Sequence, residues 1–345
     1  MKSPHHNRWH PAIEPALRTS PGRVVTLHVP DGASGQVTAD AIRAGKRDID
    51  LDKVHPLVGP IYVEGVRPGD VLEVEILRIG THDFGWTGIF PMSGGLLSDM
   101  VEESVLAGWD LSTTGARTEL LPGIEVPRRP NVGVVGVAPS LELLDVIAER
   151  EDRLSKEGGW IQRPSPGGAL PDSEPSASKG LRTLAAREIG GNLDIPELGE
   201  GCTVLLPVHV DGALFSLGDV HFSQGDGECF GTGIETSAEI DVRFHVRQDP
   251  TWKAPFPALI SKRKLQANER ITTTGLSLDA YQDVGIALRE AVSSMIEYLK
   301  AEQGLSLLQA QLLISVCASL SVSVVNNPPS PVVTASLPLE LFRPS

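Results

Sequence analysis

Cysteine is scarce in this chain: three residues, Cys202, Cys229 and Cys317, in 345. An odd, widely spaced set of three excludes a disulfide framework, so burial and hydrogen bonding must hold the fold. Positive charge is also short. The formal net charge is −14, which argues against nucleic acid, since phosphate binding needs a basic footprint, and more weakly against anionic membranes. No apolar h-region follows Met1, and no apolar run reaches membrane-spanning length. The most apolar stretch, 305–325, is broken by Ser and Gln and ends at Asn-Asn-Pro-Pro. The reading is a soluble, cytoplasmic protein with neither nucleic-acid nor membrane partners. Aromatic residues are scarce as well, at 5%.

What the chain has in quantity is glycine (35) and proline (27), the composition of many short strands joined by tight turns. Val24 to Val29 is strand-like, as are Ile61 to Val63, Asn131 to Val137 and Thr203 to Val210. Val71 to Leu77 alternates apolar and acidic residues with period two, and Glu239 to Val246 alternates cleanly enough to have one wet face. Leu141 to Leu154 has helical apolar spacing with Ser140 as N-cap. Leu278 to Leu299 carries an apolar stripe at i, i+3, i+4 and i+7, and Ser306 to Leu320 reads as a third helix. The run Pro164 to Gly180 is a long loop, either an active-site lid or a connector. The expected fold is β-rich α+β, with sandwich or barrel-like sheets and a few packed helices. It reads as one unit, or two intimately joined lobes of about 1–160 and 161–345.

The densest chemistry lies in Gly218-Asp219-Val220-His221-Phe222-Ser223-Gln224-Gly225-Asp226-Gly227-Glu228. Each glycine costs backbone entropy and packs nothing, so a plain surface strand would rarely carry three. In an extended run Asp219 and His221 leave the same face, a two-point grip on a metal or substrate. Upstream, Gly190-Gly191-Asn192-Leu193-Asp194 adds a carboxylate beside flexible backbone. A divalent ion held by Asp194, Asp219 and His221 would acidify water and polarise a carbonyl, and a free carboxylate, Glu228 or Glu64, would move the proton. Zinc is the first expectation, with calcium or magnesium as alternatives for so oxygen-rich a set. The same residues also read as plain structure: Asp219 capping a turn, Asp226 in an Asp-Gly turn, His221 satisfied in a core. Two S-x-x-K matches, from Ser176 and from Ser261, carry little weight. Cys229 beside Glu228 reads as a small buried hydrophobe, because a neighbouring carboxylate suppresses the thiolate.

These blocks resemble the acetamidase/formamidase family of amide hydrolases. The likeness rests on Gly-Gly-Asn-x-Asp at 190–194, Pro207-Val208, and the Gly-Asp-x-His-x-x-Gln-Gly-Asp-Gly-Glu run. It extends to His6-Asn7-Arg8-Trp9-His10-Pro11, to Asp50 through Pro60 with Val63-Glu64-Gly65, and to the C-terminal half. It covers nearly the whole chain, and 98–164 is its least familiar part. The resemblance implies hydrolysis of a carboxamide C–N bond in a small amide such as formamide, acetamide or a compact lactam. It also implies Glu64 as a second catalytic carboxylate, His55, Asn192 and Gln224 as substrate-binding residues, and a homo-oligomer. The rival readings are a non-catalytic ligand- or metal-binding β scaffold and a lactonase-type hydrolase.

Overall fold

The computed structural model describes residues 5–91, 100–262, 269–325 and 327–342. Its strands join into one extensively connected, mainly antiparallel sheet that curls into a half-barrel, with five helices among the described residues. The α+β, strand-rich class expected from the sequence is therefore correct. Leu17–Thr19 runs parallel to Leu57–Val63, an exception to the antiparallel order.

Two long strands form the frame. Val71–Ile89 pairs along most of Glu235–Arg247, from Trp86 opposite Glu235 to Val71 opposite Arg247. The sequence suggested an end at Leu77. The strand continues because its far end finds a second partner, Val105–Leu111. Alternate side chains such as Val74, Ile76, Ile240, Val242 and Phe244 are buried in the main core. Phe215 meets Phe244 edge-on at 5.3 Å between ring centroids, a favoured aromatic geometry.

A second core lies under the helix Val284–Gln303, which buries Ala287, Ala291, Met295 and Leu299. Small residues let it sit close on the strand Glu269–Leu276: a Cβ on Gly275 would collide with backbone of Ala287 and Ala291. This helix starts six residues later than its apolar stripe suggested. Gln282 has φ +54°, outside helical space, and Asp283 caps the first turn by accepting from the Ile286 N–H at 2.9 Å. The helix Leu141–Lys156 starts where Ser140 was expected to cap it, with Ser140 Oγ accepting from Leu143 N–H at 3.1 Å. After Leu307–Cys317 the chain turns into the strand Ser319–Val324, whose Ser/Val alternation has period two.

The Pro164 to Gly180 run behaves as a connector. Arg8 donates from Nη2 to the carbonyls of Ser165 (2.9 Å) and Gly167 (2.8 Å), and Asn7 donates to that of Gly168 (2.8 Å). Those bonds tie it to the N-terminal segment rather than leaving it poised over a cavity.

A candidate metal centre and active site

The strand Phe215–His221 runs through the middle of the sheet, between Asn131–Gly136 and the start of Glu235–Arg247. His221 lies opposite Glu235 in this register. Gly218 pairs Val134 and Val220 pairs Val132, so Asp219 comes level with Gly133. On the other side of Asn131–Gly136, Gly190–Asn192 is the next strand, and Asp194 follows it. Three sheet neighbours thus deliver three acids to one point. Glu228 arrives from the loop beyond, whose Gly227 N–H donates to the Ser323 carbonyl (3.0 Å) while its carbonyl accepts from Val325 N–H (3.1 Å).

His221 Nε2 faces four carboxylates: Glu235 at 3.3 Å, Asp219 at 3.6 Å, Glu228 at 3.8 Å and Asp194 at 3.9 Å. All five side chains are buried. The ring is fixed from behind, where Nδ1 lies 2.8 Å from Gln224 Oε1. With the proton on Nδ1, the ring donates to Gln224 and leaves Nε2 free as a ligand atom. Asn327 donates to Asp194 Oδ2 at 2.5 Å and to the Asn192 carbonyl at 3.2 Å.

The backbone is bent to allow this convergence. Asp194 (φ +44°), Asp219 (φ +58°) and Glu228 (φ +39°) all sit in the left-handed region, where a non-glycine residue costs on the order of 1–3 kcal/mol. Asp219 and His221 therefore meet, but not through a regular pleat. Gly133 supplies the missing volume, since a Cβ there would stand 2.5 Å from Asp194 Oδ1 and 2.6 Å from Asp219 Oδ2.

Crowding four acids in a dry site perturbs their protonation. Burial, then the neighbouring Asp194 charge, pushes Glu228 well above the usual carboxylate range. Burial likewise raises Glu235, whose contact with Asp219 adds to the effect. Asp194 is raised by burial and by Asp219, with His221 opposing. Asp219 moves the other way: burial would raise it, but His55 and His221 hold it far below normal. Burial alone would lower His221, and the surrounding Glu235 and Asp219 charges reverse this and raise it well above normal.

This donor set fits a cation. Two triads, Asp194/Asp219/His221 and His221/Glu228/Glu235, each bring ligand atoms within 4.8 Å of one another. Asp194 Oδ1 and Glu235 Oε2 are buried and meet no N–H donor, their side chains facing the carboxyls of Glu228 and Asp219, a condition that costs free energy unless a cation, a shared proton or water satisfies them. Both triads share one imidazole nitrogen, so they describe overlapping sets for a single ion.

The cluster forms the floor of a cavity of about 360 Å³, to which Asn192, Asp219, His221, Glu228 and Glu235 contribute. His55 is on its wall, with Nε2 3.7 Å from Asp219 Oδ2. Three expectations need correcting. Glu64 is exposed, one residue past the strand Leu57–Val63, where it accepts from Ser20 Oγ at 2.8 Å and lies away from the cavity. Gln224 does not line the cavity: its amide is fully used by Asn131 (2.7 Å), His221 and the Asp194 carbonyl (2.6 Å), which leaves it no free group to offer a substrate. Cys229 is exposed, not buried; Cys202 is in the core and Cys317 is half-buried. Glu235 and Asn327 were not singled out from the sequence.

Comparison with known proteins matches this frame. A sequence model of the acetamidase/formamidase family aligns with residues 1–344. The chain belongs to the acetamidase/formamidase family. It is 32% identical to a formamidase of Methylophilus methylotrophus over 370 aligned positions, covering 98% of this chain and 89% of that protein. It is 34% identical to an acetamidase of Mycolicibacterium smegmatis, covering 86% and 82%. The solved γ-lactamase from Delftia acidovorans superimposes with a TM-score of 0.72 at 32% identity, covering 99% of this chain and 91% of that one. The family drawn from the glycine-rich acidic blocks is therefore the right one.

Proposed function

We propose that this protein hydrolyses the C–N bond of a small carboxamide at the His221 cluster. The observation that carries the reading is the convergence of four buried carboxylates on His221 Nε2 at the floor of a substrate-sized cavity, in a chain of this family. Water adds to the carbonyl carbon, the C–N bond breaks, and the nitrogen leaves as ammonia or an amine with the proton it has gained. The acyl group leaves as a carboxylate.

Asp194, Asp219 and His221 would hold one divalent ion, zinc before calcium or magnesium, with Glu235 close enough to join the set. When bound, such an ion supplies Lewis acidity, polarising the carbonyl and making water acidic enough to attack near neutral pH. Glu228 moves the proton. Burial and the Asp194 charge raise its pKa well above the usual carboxylate range, so it holds a proton more readily than a free carboxylate does. It takes a proton from the attacking water and returns it to the leaving nitrogen. Asn192 presents a buried Oδ1 with no partner, suited to accept from the amide N–H of the substrate and aim its carbonyl at the cluster.

A second copy of the chain belongs to this reading. On the helix Leu307–Cys317 only Ala310 is buried, while Leu308 (65% exposed), Leu312 (59%) and Val316 (78%) form a stripe at i, i+4 and i+8. An apolar stripe of that kind calls for a partner surface.

Ammonia release from acetamide by purified protein, before and after chelation and metal readdition, tests the proposal. Loss on chelation and recovery on readdition is the expected result. Undiminished turnover in a sample shown by mass spectrometry to hold no ion would reject the metal; no ammonia from any small amide would reject the amidase.

A further inference from the structure

The cavity is far larger than formamide or acetamide. Giving each heavy atom water's share of about 30 Å³, acetamide occupies roughly 120 Å³, against a cavity of about 360 Å³. The remainder would take about eight further heavy atoms on the same measure. Much of its wall is apolar, with Ile49, Leu51, Trp86 and Phe90 lining it together with Trp160 and Phe230, and Asp48, Ser104 and Thr232 as polar interruptions.

The inner wall is set rigidly. Trp86 is buried and donates from Nε1 to Asp31 Oδ1 at 3.2 Å, and the same oxygen accepts from the Ala33 N–H at 3.0 Å. Trp160 and Phe230, by contrast, are 49% and 38% exposed. Large aromatic side chains left wet on one cavity are characteristic of a surface that a ligand covers. Among the described lining residues Arg47 is the sole Arg or Lys, and Glu103 already holds it at 3.0 Å. An uncharged substrate body therefore suits the site better than one bearing a carboxylate.

Resting on the amidase reading, we infer that the preferred substrates are primary amides whose acyl carbon bears an uncharged apolar group of about five to eight carbons. The amide head reaches the His221 cluster, and the apolar body lies between Trp86 and Phe90 inside and Trp160 and Phe230 outside. Formamide and acetamide fill the floor alone and leave these walls wet.

The test measures kcat/KM by ammonia release for formamide, acetamide, hexanamide and phenylacetamide, in the wild-type protein and in Trp160→Ala and Phe230→Ala. Burying a methylene is worth roughly fourfold, and hexanamide has four more than acetamide, so it should exceed acetamide by at least about tenfold and at most roughly 250-fold. Each variant should lower the hexanamide-to-acetamide ratio by about tenfold. Acetamide or formamide turned over as well as the larger amides would overturn the inference while leaving the amidase reading intact, as would a ratio unmoved by both variants. No turnover of any of the four would reject the amidase reading, and this inference with it.

Discussion

Gln224 Oε1 lies 2.8 Å from Nδ1 of His221, and the same side chain donates from Nε2 to the Asp194 carbonyl at 2.6 Å. One amide thus fixes both the tautomer of the imidazole and the backbone that carries an acid. Replacing it by alanine should leave the fold intact but weaken metal affinity by about 10- to 100-fold, the usual effect of losing a partner that orients a ligand. Competition with a chelating dye reads this directly. Unchanged affinity in Gln224→Ala would mean that the ring is held by packing alone.

Gly133 offers a sharper geometric test. A methyl at this position would stand within 2.6 Å of carboxylate oxygens on both Asp194 and Asp219, forcing the pair apart. Gly133→Ala should lose metal and amide turnover together, by tenfold or more, with the far-ultraviolet circular dichroism of the parent. Wild-type metal content in that variant would show that these two acids are not the ligands.

Much of this candidate site could be read before the fold was known, because Asp194, Asp219, His221 and Glu228 lie in glycine-rich blocks unusually dense in acids for a strand. Glu235 was not legible. It opens an alternating strand, where an acid reads as part of a wet face, and only its register opposite His221 brings it inside. Asn327 lies far along the chain and reaches Asp194 by tertiary folding alone. Glu64 shows the reverse: it follows a strand in a family-like block, yet the turn at Gly65 (φ +81°) leaves it in solvent. Strand positions were recovered well where alternation was clean. The continuation of Val71–Ile89 depended on a partner strand that local pattern does not reveal.

His6 should make stability depend on pH independently of the metal. Its Nδ1 donates to the Arg8 carbonyl at 2.8 Å and its Nε2 accepts from Ser216 Oγ at 2.8 Å. Burial lowers its pKa from 6.5 to about 4. The unfolded chain therefore binds a proton that the folded chain does not across this window. The stabilising effect is fully present above pH 6.5 and is lost as pH falls toward 4, by up to roughly 3 kcal/mol at about 1.36 kcal/mol per unit. Urea denaturation at pH 7 and pH 4.5 should show a smaller acid loss in His6→Gln than in the wild type. Equal losses would place the acid sensitivity elsewhere.

The exposed stripe Leu308, Leu312 and Val316 predicts an oligomer. Light scattering should give a multiple of the 36.8 kDa chain mass, and Leu312→Glu with Val316→Glu should shift it toward the monomer. A wild-type monomer at working concentration would contradict the assignment of this face.

The most direct measurement is ammonia release by Glu228→Gln beside the wild type, both loaded with metal to the same measured content. The substitution keeps the shape of the side chain and removes its ability to carry a proton. If Glu228 is the proton carrier at a metal-assisted amide site, turnover falls by about 10² or more while metal content and folding stay constant. Turnover within a fewfold of wild type would contradict the account.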